Sequence, residues 1–147
     1  MKPVKQRIVS PVYGDCFPAC VASLLELPIE VVPNIHSDSW FSIIKTFLDE
    51  FGLDMTFHNS SGPIWADSPW IASVKSKNYP DGTHTIIMQG SEVLFDPSTK
   101  SVYRKGTYLL DKETVIGGYI MRVSDFSRLH KLKEYRDKLG IGDEQRV

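Results

Sequence analysis

The segment that decides the fold has the sequence GDCFPACVASLLELPIEVVPN and occupies positions 14–34. Its first half is apolar and rich in helix formers, so it predicts a helix from Cys16 to Leu27. Pro18 lacks a backbone N–H and is tolerated only in the first helical turn, which places the helix start near Asp15. The Leu-Pro pair ends this helix, and IEVVPNI predicts one further helical turn.

Downstream of this segment the chain carries one more helical pattern, then short β-like runs, then a last helix. In SDSWFSIIKTFLDEFGL, apolar residues recur at helical spacing, with Asp38 or Ser39 as the cap and Gly52 as the stop. The runs LDMTFH, WIASVKS, THTIIMQ, EVLFD and TVIGGYIMRV predict one antiparallel sheet. DFSRLHKLKEYRDKL predicts the last helix, with a frayed tail over 140–147. This order is typical of a single α+β domain over 1–147.

Composition and charge are ordinary for a globular protein. Hydrophobic residues make up 41% of the 147 residues, charged residues make up 24%, and the formal net charge is −1. We therefore expect neither nucleic acid nor an anionic membrane as a partner. Without a long apolar run near the N-terminus, we expect a cytoplasmic location. The predicted core contains Val21, Leu24, Leu25, Ile44, Phe47, Leu48, Ile86, Met88, Leu94 and Ile120.

The two cysteines and four histidines do not match a disulfide framework or a zinc site. Cys16 and Cys20 would close only a very short loop. Structural zinc needs four ligands in close-spaced pairs, whereas the histidines are scattered along the chain. We therefore expect no structural disulfide, no metal and no cofactor.

Cys16 is the candidate nucleophile because it opens the first predicted helix. The N–H groups of the first turn and the positive end of the helix dipole both favour a thiolate. Cys20 lies one turn further in and is predicted to be a small buried hydrophobe. On its own, a cysteine such as Cys16 is more often packed and inert, so the interpretation depends on its partners.

His84, at the head of THTIIMQ, and Asp96, at the end of EVLFD, are the candidate partners. A three-residue turn over 89–91 would place them directly opposite each other, with the carboxylate orienting the imidazole as a general base. A two-residue turn would make the pair diagonal and offset its faces. His58 is the main alternative to His84.

Gln6 is the candidate donor to an oxyanion. A thiol hydrolase commonly uses the backbone N–H of its nucleophile and one side-chain amide for this purpose. Gln6 precedes Cys16 by ten residues, which is enough chain to fold back over a cleft, although a solvent-exposed glutamine fits the same spacing. The candidate substrate-binding residues around the cleft are Asp15, Phe17, Trp65 and Tyr79.

The segment at 14–33 resembles the opening of small papain-like cysteine hydrolases, including C39-type peptidases and bacterial and phage proteins with a similar Gly-Asp-Cys segment. The resemblance is strongest there and covers the chain to about residue 100. Those enzymes carry Gln, Cys, His and then Asp or Asn in that order. The matching residues here are Gln6, Cys16, His84 and Asp96.

The resemblance implies a role for each of these residues. Cys16 would attack an acyl carbon, His84 would shuttle the proton and Asp96 would orient His84. Gln6 and the Cys16 N–H would bind the oxyanion. The chain departs from the C39 pattern at Phe17, where those peptidases typically carry Gly or another small residue beside the nucleophile.

Three classes of function remain open from the sequence. The first is a thiol protease or amidase that cleaves a peptide, isopeptide or other amide through a thioester, and the same triad can run deamidation or acyl transfer. The second is a catalytically silent papain-like module that holds a peptide or small ligand, although the intact set of four residues favours an enzyme. The third is a protein-recognition surface built on aromatic residues. Its candidates are Trp65, Trp70 and Tyr79, of which Trp70 is predicted to be core.

The last predicted helix is strongly basic and is interpreted as a solvated face. Its basic residues are Arg128, Lys131, Lys133, Arg136 and Lys138.

Overall fold

Three α-helices and five strands make up the described part of the chain. The computed structural model describes residues 1–7, 15–34, 36–59, 68–77, 82–98, 103–109 and 114–141. The helices are α1 (Cys16–Leu25), α2 (Trp40–Asp49) and α3 (His130–Lys138), with short 3₁₀ turns at Ile29–Val31 and Phe126–Arg128. The strands are β1 (Leu53–His58), β2 (Trp70–Lys75), β3 (Thr83–Gln89), β4 (Glu92–Phe95) and β5 (Val115–Val123). The predicted α+β class is confirmed.

The strands form one antiparallel sheet in the order β1-β5-β2-β3-β4. The last strand of the chain, β5, therefore lies between β1 and β2. Helix α1 packs against β3, and α2 packs against β1. This arrangement places the start of α1 beside the β3–β4 hairpin, which carries the predicted catalytic histidine and aspartate.

The start of α1 follows from its sequence. Asp15 is the N-cap residue, and its carbonyl accepts the first helical hydrogen bond from Ala19 N–H at 3.0 Å. Three residues of the helix come before Ala19, and one of them, Pro18, has no N–H. The N–H groups at the start of the helix are therefore those of Cys16 and Phe17. The helix therefore begins where the proline predicts, with two N–H groups at its first turn.

Local backbone geometry sets the other helix ends. Helix α1 ends two residues earlier than predicted because Glu26 adopts a left-handed conformation, φ 57°, that closes the helix. Ser39 is the N-cap of α2 but makes no side-chain capping bond, and Gly52, at φ 72°, follows its end as predicted. The last helix is divided by a 3₁₀ turn that Asp125 caps, its carboxylate accepting the Ser127 N–H at 2.9 Å.

The described residues include no helix with the length and apolar character needed to cross a membrane. The predicted frayed tail lies almost entirely outside the described residues, which end at 141.

The core consists of two clusters on opposite faces of the sheet. One cluster joins α1 and α2 to the sheet, and the other packs around Trp70 and Tyr103 on the far face. Trp70 is 1% exposed and its Nε1–H donates to the Gly90 carbonyl at 3.0 Å, which confirms it as core. Of the predicted core residues, Val21, Leu25, Ile44, Leu48, Ile86 and Met88 are buried, and Leu24, Phe47, Leu94 and Ile120 are half-buried.

The prediction that all basic residues near α3 lie on a solvated face is wrong for two of them. Arg128 is half-buried and pairs with Asp49 and Asp125. The second is Arg136. Its side chain is half-buried, and its Nε and Nη2 groups donate to the Leu25 carbonyl at 2.8 and 2.6 Å. A carbonyl in the last turn of a helix has no intrahelical donor, and a cation there also interacts favourably with the helix dipole. Arg136 therefore caps the end of α1 and ties α3 to it.

Replacing Arg136 by Met should lower the free energy of unfolding by about 1–3 kcal/mol, because the buried Leu25 carbonyl loses both donors while the aliphatic stem is kept. Urea denaturation of Arg136→Met measures this change. Lys133→Met, an exposed basic position on the same helix, is the matched control and should change stability by less than about 0.5 kcal/mol. Equal effects of the two substitutions would contradict the capping role.

Candidate active site

The first residue of α1, the second residue of β3 and the residue after β4 meet at one point. Cys16 and His84 are hydrogen-bonded through their side chains. His84 Nε2 lies 2.6 Å from Asp96 Oδ1. Because Nε2 is committed to Asp96, Nδ1 is the ring nitrogen that faces the Cys16 sulfur. The three residues therefore form one continuous chain of contacts.

The His84–Asp96 contact forms in a register that differs from the predicted one. The hairpin turn has two residues rather than three, with Gly90 in the left-handed region at φ 58°. A bulge then adds one residue to β4, so that Ile87 pairs with Phe95. The predicted placement of His84 directly opposite Asp96 is therefore wrong. Asp96 reaches the ring nonetheless because it lies just past β4, where strand alternation no longer sets the side-chain direction.

Backbone donors hold the Asp96 carboxylate. Oδ1 accepts the Ser98 N–H at 2.9 Å and Oδ2 accepts the Tyr103 N–H at 3.3 Å. The Lys5 ammonium donates to the carbonyls of Asp96 and Ser98, both at 3.0 Å, and steadies the same segment. Burial by itself raises the pKa of Asp96, but the bonds from His84, Ser98 and Tyr103 outweigh it and hold the pKa below its usual value. The carboxylate is therefore ionised at neutral pH.

The same contacts separate charge between the thiol and the imidazole. Burial lowers the pKa of His84, but hydrogen bonds and negative charge from Asp96 and Cys16 outweigh it and raise the pKa to about 9. Burial raises the pKa of Cys16, but bonds from His84 and Thr85 and the charge of His84 outweigh it and hold the pKa below its ordinary value. Together these shifts favour a thiolate beside an imidazolium.

Thr85 is a site residue that the sequence analysis missed. Its side chain and its backbone N–H both form hydrogen bonds with Cys16, and its Oγ1 lies 3.9 Å from the Cys20 sulfur. Two periodicities carried this information. The i, i+4 spacing puts both cysteines on one helix face, and strand alternation puts Thr85 on the face of β3 that carries Ile87, which packs in the core cluster with α1.

Gln6 is buried at 5% exposure and not solvent-exposed. Its N–H donates to the Pro97 carbonyl at 2.9 Å. The next residue, Arg7, donates from its N–H to Asp15 Oδ1 at 2.9 Å and from Nε to Oδ2 at 3.3 Å. The backbone at Gln6 is thus anchored between Pro97, the neighbour of Asp96, and Asp15, the neighbour of Cys16.

The predicted substrate-binding residues fall into three groups. Asp15 is fully buried and its carboxylate binds Arg7, so it does not line an open cleft as predicted. Phe17 is half-buried, and its ring packs edge-on against Trp40 and Tyr119, with centroids 5.0 and 4.9 Å away. Trp65 and Tyr79 lie outside the described residues.

His58 is not in a position to replace His84. It ends β1, at the opposite edge of the sheet from β4, and its ring contacts Thr56 Oγ1 at 3.2 Å. Strands β5 and β2 lie between β1 and β3. Both cysteines are free thiols, and among the residues the structure describes no three His, Cys, Asp or Glu side chains are grouped to hold a metal ion.

Replacing Asp96 by Asn should lower the pKa of His84 from about 9 by at least one unit, because the adjacent negative charge is lost while the amide keeps a similar shape. An NMR titration of the His84 ring proton measures this pKa. Asp137→Asn, at an exposed position of α3, is the control and should leave it unchanged. A His84 pKa that is the same in Asp96→Asn would show that the carboxylate does not support the imidazolium.

The comparisons with known proteins contain no match to this chain. A scan against protein-family models finds no matching family. Searches of curated proteins and of solved structures find no significant similarity.

Proposed function

We propose that this protein is a papain-like cysteine hydrolase that cleaves a peptide, isopeptide or other amide bond. The observation that carries the proposal is the unbroken contact from the Cys16 thiol through His84 to Asp96. A nucleophile, a base and a residue that orients the base are the three parts of this chemistry. The position of Cys16 at the first turn of α1 adds the helix N-terminus to the groups that stabilise a thiolate.

The proposed reaction proceeds through a thioester. The Cys16 thiolate attacks the carbonyl carbon, and the carbonyl oxygen takes the negative charge of the tetrahedral intermediate. The His84 imidazolium gives its proton to the leaving amine as the C–N bond breaks. Water then attacks the thioester while neutral His84 accepts a proton from it, which releases the acid and regenerates the thiolate–imidazolium pair.

Gln6 and the Cys16 backbone N–H are proposed to bind the oxyanion. In support of this role, Gln6 is buried, and its backbone is held by its own N–H to Pro97, next to Asp96, and through Arg7 to Asp15, next to Cys16. Preorganised donors of this kind lower the barrier because they need no rearrangement as charge develops. The free Cys16 and Cys20 thiols suit a reducing compartment, and we propose the cytoplasm as the place of action.

The first experiment is alkylation of Cys16 by iodoacetamide as a function of pH, followed by peptide mass spectrometry. We expect an alkylation pKa well below the free-cysteine value of about 8.5. The low pKa should be lost in His84→Ala, which removes the imidazolium, and should change by no more than a few tenths of a unit in Cys20→Ala. His130→Ala, an exposed histidine on α3, is the matched control and should leave the profile unchanged.

The proposal would be contradicted if Cys16 were alkylated slowly and if its rate were the same in His84→Ala as in the wild type. That result would instead support the alternative of a silent papain-like module that holds a peptide or small ligand.

A second experiment separates the oxyanion donor from the thiolate. Acylation by p-nitrophenyl acetate passes through an oxyanion, whereas alkylation by iodoacetamide does not. Gln6→Ala should therefore slow acylation by about 10²-fold and leave alkylation nearly unchanged. Gln89→Ala, at an exposed strand end, is the control for both probes. Equal losses with both probes would assign Gln6 a purely structural role.

A further inference from the structure

We propose that Cys20 and Thr85 form a hydrogen-bond relay that holds the Cys16 sulfur, in which the Cys20 S–H donates to Thr85 Oγ1 and the Thr85 O–H donates to Cys16. This inference rests on the proposed function, because it describes how the same nucleophile is kept reactive. It also gives Cys20 a role beyond that of a small buried hydrophobe. Thr85 would touch the reacting atom, and Cys20 would be a positioning residue.

The three side chains lie together between α1 and β3. Cys20 is one helical turn beyond Cys16 and is fully buried, and Thr85 is 9% exposed. Cys20 donates its S–H to Thr85 Oγ1 across 3.9 Å, a distance within the range of hydrogen bonds that involve sulfur. Thr85 in turn bonds to Cys16 through both its side chain and its backbone N–H. Both sulfurs therefore share one hydroxyl.

The direction of the relay follows from which groups carry a proton. Burial and the charge of Cys16 raise the pKa of Cys20 well above its ordinary value, so Cys20 stays a thiol and acts as a donor. A threonine hydroxyl has one proton and two acceptor lone pairs. With Cys20 occupying an acceptor position of Oγ1, the single hydroxyl proton is free to point at the Cys16 thiolate.

A half-buried thiolate needs several donors to replace lost water. In the relay, the donors to the Cys16 sulfur are the Thr85 hydroxyl, the Thr85 N–H and the His84 ring. Among the described residues, His84 is the charged group that bonds to Cys16 directly, Asp96 bonds to His84, and the Asp15–Arg7 pair is at the residue before Cys16. The hydroxyl and the N–H of Thr85 add uncharged donors to the same sulfur.

The test is the alkylation pKa of Cys16 in single and double variants. Thr85→Val removes the hydroxyl at similar volume and should raise this pKa by about one pH unit, since a hydrogen bond to a charged group is lost. Thr85→Ser should restore most of the wild-type value. Cys20→Ala should raise the pKa by a few tenths of a unit, roughly what loss of a weak S–H donor allows. Cys20→Ser keeps a donor and should not raise it.

The double variant decides whether the two residues act as one unit. If the relay is correct, the alkylation pKa of Cys16 in the double variant Thr85→Val with Cys20→Ala should equal that in Thr85→Val alone. The reason is that Cys20 acts on Cys16 only through the Thr85 hydroxyl. Additive shifts, or no shift in Cys20→Ala, would overturn the relay.

Infrared spectroscopy supplies a measurement that does not depend on a pKa. The Cys20 S–H stretching band should move to higher frequency when its acceptor is removed in Thr85→Val, or in Thr85→Ala should the valine variant not fold. A band that stays in place would also overturn the relay.

Failure of the relay and failure of the proposed function give different results. A wild-type Cys16 with an ordinary alkylation pKa would overturn both. A low pKa that depends on His84 but not on Thr85 or Cys20 would leave the hydrolase proposal standing and overturn the relay alone.

Discussion

The 2.6 Å bond between His84 Nε2 and Asp96 Oδ1 is the interaction on which the rest of the site depends. It fixes the ring orientation and leaves Nδ1 to face the Cys16 sulfur. It also places a negative charge where it supports an imidazolium, which in turn supports a thiolate. The backbone donors of Ser98 and Tyr103 matter because they prevent the carboxylate from turning away. The orientation of His84 and the charge on Cys16 therefore both depend on Asp96.

Charge separation in the pair links the site to folding. The His84 pKa is raised to about 9, so its contribution to stability is present below the ordinary value of 6.5 and lost as pH rises through about 9. The Cys16 pKa is lowered, so its contribution is present above the ordinary value of 9.0 and lost as pH falls through the folded value. As pH rises between these limits, the His84 contribution falls and the Cys16 contribution grows. The two contributions therefore have slopes of opposite sign, and each offsets part of the pH dependence of the other.

Local rules predicted the elements, whereas tertiary packing determined how they meet. The first-turn requirement of Pro18 located the start of α1 to within one residue, and strand-like runs predicted the antiparallel sheet. The contact of His84 with Asp96 was predicted, but through the wrong register, because the β4 bulge has no marker in EVLFD. The order of the strands was likewise not visible, since β5 inserts between β1 and β2 from the far end of the chain.

The polar residues whose roles were missed share one property, which is that their partners lie outside the helix or strand that carries them. Asp15 adjoins Cys16 and was expected to meet substrate, but a fully buried carboxylate needs donors, and Arg7 donates to it from an arm that has no periodic pattern. Arg136 belongs to a run of basic residues, yet it alone reaches the Leu25 carbonyl 111 positions away. Residue type and periodicity indicate which groups can bond. The demand of each buried polar group for a partner then decides which of them do, and in this protein that demand brings the N-terminal arm to the start of α1 and the segment after Asp96.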